Sequence, residues 1–411
     1  MWKKLEPYKS SIILLTALVI GGAIGIYLPD FALTLKPIGQ IFLNLLFMII
    51  VPLVSVSVMS SIASMTDLKK LGKMLGIILV VSIMMAIIPA VSIVGLASIF
   101  DPAQGVTLEL AKDFTAEAGK IDFASMLTTN DFVGLLSKSN ILALIVMSII
   151  AGIAIGQSGE SGKKIADLLN SLNEVIMKVV SIIMVGAPVG LGAYFASTMA
   201  SQDPELLVTF ARAIGLFFAA TAIYFVVGST FYSWIGGGTN AVRAFWKNAF
   251  EPSATALGTC SSLGTLPVNI RAAKNMGIKD DIVDICLPLL ANLNKGGVAM
   301  IAALKIVFIY AVLGLEFTPE VFFITIVISV LSAIIVGGVP GGAFLGEIFI
   351  VTSLGLPIEC IPILVVIGAI TDAPATMLNV VNDLNATQIV ERFMKRGEKL
   401  ETQSQTNLQQ A

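Results

Sequence analysis

Long stretches without a charged residue limit the folds open to this chain more than any other feature. Residues 10–28, 37–66 and 74–100 contain no Asp, Glu, Lys or Arg, and three more such runs cover residues 140–159, 179–202 and 213–242. A helix needs about 20 mainly apolar residues to cross the hydrocarbon core of a bilayer. Only 13% of the 411 residues are charged, against roughly 25% in soluble globular proteins. The sequence therefore predicts an all-α polytopic membrane protein.

The composition argues against several classes of function. The chain has no histidine, which removes the usual imidazole base and the commonest metal ligand. Cys260, Cys286 and Cys360 lie far apart in apolar runs and fit neither a metal pattern nor a disulfide framework. Since 25 basic and 27 acidic residues leave a net charge of −2, no basic field favours nucleic acid. Without a Gly-x-Ser-x-Gly motif or a phosphate-binding loop, we expect neither an enzyme nor a cofactor.

Four apolar runs of the last third are interrupted in ways that lipid-facing helices do not need. Irregular backbone at membrane depth is tolerated only inside the protein or beside a water-filled cavity. We therefore expect a scaffold in the first half and the functional machinery in the second. The interruptions are Gly258, Gly264 and Pro267 in run 252–270; Asn292, Asn294, Lys295, Gly296 and Gly297 in run 285–310; Gly337, Gly338, Pro340, Gly341 and Gly342 in run 321–346; and Asp372, Asn379 and Asp383 in run 361–384.

The charges of the connections predict the topology. Basic residues precede the first run, follow the second and flank later ones, whereas the connections 101–122, 203–205 and 316–320 are mainly acidic. Placing the basic groups in the cytoplasm gives a multi-pass protein of the plasma or inner membrane with both termini cytoplasmic and about eight spans. This count requires runs 252–270 and 321–346 to be re-entrant hairpins, one from each side.

Two interrupted apolar segments in corresponding positions of two halves are typical of a transporter binding site. At a hairpin tip, the helix ends expose unpaired N–H and C=O groups that can hold an anionic group or a cation. The structural alternative is a pair of kinked helices packed on small residues. We favour a binding site because each hairpin is followed by an element with polar residues at mid-membrane depth.

One face of the last span combines carboxylate, hydroxyl and amide groups. Asp372, Thr376, Asn379 and Asp383 are spaced by four, three and four residues, which places them on one side of a helix. Carboxylates in a membrane normally face a pathway or a partner, so this face is a candidate surface for a ligand and a cation. For Asp383 the alternative is a water-exposed position near the cytoplasmic end.

Three further charges fall in apolar surroundings. Lys295 interrupts the seventh span, and a buried ammonium needs a carboxylate or a carbonyl cage. Lys305 follows ten residues later, and Glu347 follows the glycines of the second hairpin. We favour a functional role for Lys295. For Lys305 and Glu347, structural pairing is at least as good an explanation as function.

At these residues the chain resembles the glutamate-transporter family, the dicarboxylate/amino acid:cation symporters. The matching motifs are confined to the C-terminal third, and the rest of the chain matches in hydropathy and length only. They are Ser261, Ser262, Leu263, Gly264, Thr265, Leu266 and Pro267; Arg271 through Gly277; Leu287, Pro288 and Leu289; Gly338, Val339, Pro340 and Gly341; and Thr376, Met377, Leu378, Asn379 and Val380 with Asp383.

The resemblance implies eight transmembrane helices plus two re-entrant helical hairpins with inverted repeats, assembled as a homotrimer. It assigns residues 1–73 and 101–206 to a scaffold, and residues 74–100 and 207–394 to a transport domain that moves like an elevator. Residues 395–411 would be a cytoplasmic tail.

The substrate site departs from the family pattern. Members that take acidic substrates have an arginine three residues after the aspartate that holds the amino group, and here these positions are Ala375 and Asp372. The hairpin position that carries the arginine in some relatives is Cys260. The resemblance therefore implies an amino acid substrate without an acidic side chain. The implied substrate-binding residues are Cys260, Ser261, Ser262, Gly338, Val339, Gly341, Asp372, Ala375, Thr376 and Asn379.

The cation sites depart as well. The family sequence Asn-Met-Asp-Gly-Thr appears here as Asn294, Lys295, Gly296, Gly297 and Val298, so the coupling methionine is a lysine and a sodium-binding aspartate is a glycine. On span three, Ser82, Met85 and Ala86 replace a tyrosine and two hydroxyl residues. A second site keeps Asn294, Asn379 and Asp383, while a third has Val336 in place of a threonine.

We therefore predict a secondary active transporter for a neutral amino acid, in which the Lys295 ammonium replaces a coupling cation. Lys295, Asn294 and Asp383 form the candidate cation or cation-substitute site, and Glu347 is a candidate proton site. Sodium is not expected to be required, and no metal site is firmly predicted. The alternatives are a sodium- or proton-coupled amino acid or dicarboxylate symporter and, more distantly, an ion channel, because re-entrant loops also form selectivity filters.

Overall fold

The computed structural model describes residues 9–66, 72–102, 128–137, 140–200, 205–336, 342–357 and 360–410. The described chain is almost entirely helical and contains no strand. Its helices are α1 Lys9–Tyr27, α2 Pro29–Thr34, α3 Lys36–Thr66, α4 Gly72–Ile99, α5 Phe132–Leu135, α6 Ile141–Gln157, α7 Gly159–Val185, α8 Ala187–Ala200, α9 Glu205–Asn248, α10 Phe250–Thr259, α11 Ser262–Asn275, α12 Asp280–Leu293, α13 Gly296–Val312, α14 Pro319–Val336, α15 Gly342–Ser353 and α16 Ile361–Gln410.

The all-α prediction is confirmed, and the described residues of the long uncharged runs are mainly helical. Four helical stretches in the described residues are long and apolar enough to cross a membrane: Met74–Ile99, Val208–Asn248, Asp280–Val312 and Ile363–Lys395. The bent pair Gly159–Ile183 and Ala187–Ala200, at 56°, makes a fifth if it is one span. Within α1, α3 and α6, only shorter apolar stretches qualify. The number of eight spans therefore stays a prediction.

The helices pack as two groups. In the first, α3 contacts α6, α7 and α8, while α1 packs along α8. In the second, α16 contacts α9, α10, α11, α12, α13 and α15, and α4 packs against α13. The division into a scaffold and a transport domain remains a prediction. Helix α16 also continues to Gln410, through most of the stretch expected to be a tail.

Helix α9 contains a break within a run of three glycines that was not among the predicted interruptions. The backbone leaves helical geometry at Gly237 and Gly238, and Gly238 has a left-handed φ of 70°, which glycine adopts without steric cost. Residues on the two sides of the break are in contact, since Trp246 donates a hydrogen bond from Nε1 to Thr230 Oγ1 at 3.0 Å. The break turns the chain from the sixth predicted span into the first hairpin.

Candidate functional site

The first hairpin breaks at Cys260 and Ser261, between α10 and α11, rather than at the glycines and proline of the run. Cys260 has a left-handed φ of 48° and ends α10. Ser261 then starts α11, since its Oγ accepts a hydrogen bond from Gly264 N at 3.0 Å, the usual role of a serine N-cap. Gly264 and Pro267 consequently lie inside α11, which corrects the predicted break points.

The seventh predicted span is interrupted as the sequence indicates. Helix α12 ends at Leu293, Asn294 is extended with φ −93° and ψ 92°, and α13 begins at Gly296. The break is closed from α16, because Asn379 Oδ1 accepts a hydrogen bond from Gly297 N at 2.8 Å. Asn379 therefore caps α13, and only its amide nitrogen remains to donate to a substrate.

Lys295 lies at the centre of this break, with only 2% of its surface exposed. Its Nζ donates to Ser262 Oγ at 2.9 Å, in the first turn of α11, and to the carbonyl oxygen of Ala291. The negative charges of Asp383 and Asp372 also act on it. Lys295 therefore ties the interrupted helix to the second arm of the first hairpin.

Neighbouring backbone fills the space around the first glycines of α13. A Cβ on Gly296 would lie 2.3 Å from Met85 O, in α4, and 2.7 Å from Asn382 Nδ2. A Cβ on Gly297 would lie 2.2 Å from Ala375 O, in α16. Because of these contacts, no side chain fits at Gly296, the position where the resemblance places a sodium-binding aspartate, unless α4 moves. The residues present do not fit the sodium site that the family forms here.

Asn294 and Asp383 form a second polar contact beside the break. Both are buried, and Asn294 Nδ2 donates to Asp383 Oδ1 at 3.1 Å. The other neighbour of the Asn294 amide nitrogen is Met85 Sδ at 3.8 Å, which is a poor ligand for a hard cation. Asn294 Oδ1 is buried and has no hydrogen-bond partner among the described residues. This oxygen and the Asp383 carboxylate remain able to hold a cation.

The polar face of α16 lies where the sequence places it. Ala375, Thr376, Asn379 and Asp383 are buried and Asp372 is partly exposed, so the water-exposed alternative for Asp383 is wrong. The structure brings Asn379, Asp383 and Lys295 together around the α12–α13 break, with Ser262 beside them. The other predicted ligands, Gly338, Val339 and Gly341, lie outside the described residues.

Lys305 and Glu347 pair with each other. Lys305 Nζ lies 2.5 Å from Glu347 Oε1, and their side chains are 4% and 2% exposed. The pair joins α13 to α15, the second arm of the predicted second hairpin. The structure therefore agrees with the pairing explanation for these two residues.

Sequence reasoning missed a polar contact between α9 and α16. Gln388 Oε1 accepts a hydrogen bond from Ser233 Oγ at 2.9 Å, and Asn385 Nδ2 donates to Ser233 Oγ at 2.8 Å. Asn385 and Gln388 are three residues apart, which places them on one side of α16. That spacing was the available signal.

Interrupted helices that meet around buried charges define a helical membrane transporter, since transporters form their sites from discontinuous helices at mid-membrane depth. Comparison with known protein families identifies the family of transporters. The sodium:dicarboxylate symporter family matches residues 11–393, and the chain belongs to this family.

Curated relatives are similar over nearly the whole chain. A C4-dicarboxylate transport protein of Agrobacterium fabrum is 27% identical over 393 residues, covering 92% of this chain and 87% of the relative. A proton/sodium-glutamate symport protein of Geobacillus stearothermophilus is 28% identical over 398 residues, covering 91% of each. A C4-dicarboxylate transport protein of Rhizobium leguminosarum is 25% identical over 404 residues, covering 94% of this chain and 90% of the relative.

Proposed function

We propose that this protein is a secondary active transporter that moves a neutral amino acid across the membrane without requiring sodium. The observation that supports sodium independence is the position of Lys295. Its ammonium bonds to Ser262 Oγ and to the Ala291 carbonyl oxygen, so a covalently attached cation holds the break and the first hairpin together. A bound sodium ion is then unnecessary for this arrangement.

The charges of the site support an amino acid with an uncharged side chain. Asp372 would bind the substrate ammonium, and Ala375 and Cys260 replace the two arginine positions of the family. Ser262 accepts its hydrogen bond from Lys295, so its own O–H is left to donate to the substrate carboxylate. The Asn379 amide nitrogen is a second donor for that group.

The transport cycle that we propose is an elevator motion in a homotrimer. Helices α1, α3, α6, α7 and α8 would form the static part, and α4 with α9 through α16 would move with the substrate. The tight packing of α13 against α4 and α16, through Gly296 and Gly297, supports movement of these helices as one body.

The first experiment tests the substrate and the ion requirement together. Purified protein in choline buffer is titrated calorimetrically with a panel of neutral and acidic amino acids and C4-dicarboxylates, and uptake is then measured in proteoliposomes without sodium. We expect saturable binding of a neutral amino acid and uptake that persists without sodium. Complete loss of uptake in choline overturns sodium independence, and binding of dicarboxylates alone overturns the substrate class.

Lys295→Met tests the role of the lysine. It removes the ammonium, so we expect sodium-free affinity to fall by about tenfold or more, as for loss of a charge-assisted hydrogen bond. Lys279→Met is the matched control, since Lys279 is exposed at the start of α12, and its affinity should equal that of the unmodified protein. Unchanged affinity in Lys295→Met contradicts the proposal.

Sodium-coupled symport is the second candidate, and one observation favours it. The buried Asn294 Oδ1 has no partner and lies in the side chain that contacts Asp383, so two oxygen-bearing groups are available to a cation. If this function holds, the affinity for the substrate rises with sodium concentration, and Asp383→Asn abolishes that dependence.

A further inference from the structure

The Lys305–Glu347 pair is a second group of buried charges, separate from the Lys295 break. It connects α13 to α15 across 2.5 Å, and Gly368 of α16 provides the space for it. A Cβ on Gly368 would lie 2.3 Å from Glu347 Oε1 and 2.6 Å from Lys305 Nζ. The pair is therefore enclosed by three helices.

Lys305 satisfies only one of the two oxygens of Glu347. The other oxygen, Oε2, is buried and has no hydrogen-bond partner in the part of the chain that the structure describes. An ionised carboxylate normally accepts hydrogen bonds on both oxygens, and an unpartnered anionic oxygen in a buried site is unfavourable. A proton or a cation bound to this oxygen would remove that cost.

Asp372 brings a second carboxylate to the same group. It lies one helical turn after Gly368, on the same face of α16, and the charges of Lys305 and Glu347 act on it. Lys305, Glu347 and Asp372 together have one positive and two negative charges, a net charge of −1. Since Lys305 and Glu347 are buried and Asp372 is only partly exposed, this net negative charge favours the binding of one further positive charge.

Among the described residues, Lys305 is the only other charge that acts on Glu347, and Lys305, Glu347 and Lys295 are the only ones that act on Asp372. Lys295 also acts on Asp372, but the negative charge of Asp383 balances Lys295. Helix α6, which contacts α15, contains no charged residue, and α14 contains only Glu320, which is exposed in its first turn. The positive charge must therefore come from a ligand.

We propose that Lys305, Glu347 and Asp372 form a proton-binding site, and that a proton occupies it whenever the ammonium group of the substrate does not. This inference rests on the proposed function, in which Asp372 binds that ammonium. The proton binds a carboxylate oxygen of Glu347 or Asp372, and the arriving ammonium displaces it. The empty transporter then crosses the membrane protonated, so amino acid moving one way is exchanged for a proton moving the other way.

The decisive measurement needs no variant. Binding of the amino acid identified in the panel is titrated in choline salt at several pH values between 5 and 9, and at each pH in two buffers that differ in ionisation enthalpy. We expect release of about one proton per amino acid bound, and a Kd that rises by about tenfold per pH unit on the acidic side of the transition. Uptake of a proton, or no proton exchange at any pH between 5 and 9, overturns the inference.

The variant Glu347→Gln tests whether Glu347 belongs to the proton-binding site. The glutamine oxygen still accepts the hydrogen bond from Lys305, while the group becomes neutral without a proton. We expect proton release to disappear and the affinity to become independent of pH. Glu320→Gln is the matched control and should behave as the unmodified protein does. If Glu347→Gln still releases a proton with the original pH profile, Glu347 is not part of the site.

A transport assay tests the direction of proton movement independently. In sodium-free proteoliposomes that contain a fluorescent pH indicator, amino acid entry should raise the internal pH, because protons leave, whereas proton symport would lower it. A fall in internal pH, or sodium-free uptake with no pH change, refutes this inference and leaves the proposed function intact. Absence of amino acid binding refutes the proposed function itself.

Discussion

Breaking the buried pair with Lys305→Met should destabilise the protein strongly. At 2.5 Å, the attraction is about 7 kcal/mol with an effective dielectric constant of 20, but desolvation of both ions offsets most of it. Removal of one partner leaves Glu347 buried without its cation, which costs about 3–5 kcal/mol. At about 2 °C per kcal/mol for a chain of this size, the apparent Tm should fall by roughly 6–10 °C.

The double variant Lys305→Met/Glu347→Met distinguishes the effect of an unpaired buried charge from the effect of altered packing. Replacing both charges with apolar side chains of similar volume is often neutral or stabilising, so its Tm should return to within about 2 °C of the original. Arg271→Met is the control, because the Arg271–Glu251 pair is of similar length, 2.7 Å, but 59% and 64% exposed. It should shift Tm by less than about 2 °C, since exposed pairs contribute little.

The assay is thermal unfolding of detergent-solubilised protein, followed by intrinsic fluorescence and repeated at two heating rates. The reasoning is refuted if Lys305→Met is as stable as the unmodified protein. It is also refuted if the double variant is no more stable than Lys305→Met, because the loss would then come from packing and not from the stranded carboxylate.

Two further substitutions test the packing around the break. Gly297→Ala places a Cβ 2.2 Å from Ala375 O, so the apparent stability of the protein should fall by about 1–3 kcal/mol. Gly215→Ala is the control and should not lose stability, because nothing lies within 4 Å of its Cβ. Equal Tm values for the two variants would contradict the described packing. Ser262→Ala removes the hydrogen-bond acceptor for Lys295. Substrate affinity, measured by calorimetry, should weaken by about tenfold, which is the effect of losing one charge-assisted hydrogen bond. Unchanged affinity would show that Ser262 takes no part in substrate binding.

The sequence located the interrupted helices because each interruption changes the residue types within an apolar run. Asn294 and Lys295 are polar residues in an apolar span, and the structure breaks the helix there. The exact break in the first hairpin was wrong because Gly264 and Pro267 were given more weight than a capping serine. A cap is a local side-chain interaction, and the residue type alone did not show that Ser261 would make it.

Pairings between distant residues were beyond the reach of sequence spacing. Lys305 and Glu347 are 42 positions apart, and helical periodicity relates only residues on the same helix. Gly368 was not singled out either, because a small residue in a membrane helix has many explanations. The structure shows the role of Gly368, because the charged ends of the Lys305 and Glu347 side chains occupy the space where a Cβ would lie.

One stripe of α16 organises the whole site. Gly368, Asp372, Ala375, Asn379 and Asp383 follow each other at intervals of four, three, four and four residues. Gly368 makes room for the ion pair, Ala375 O packs against the start of α13, Asn379 caps α13, and Asp383 accepts from Asn294. Asp372 differs from the other four because it is partly exposed and has no such structural task. A carboxylate in this position is available to exchange one cationic ligand for another, which is the chemistry that a carrier needs and that a static scaffold does not.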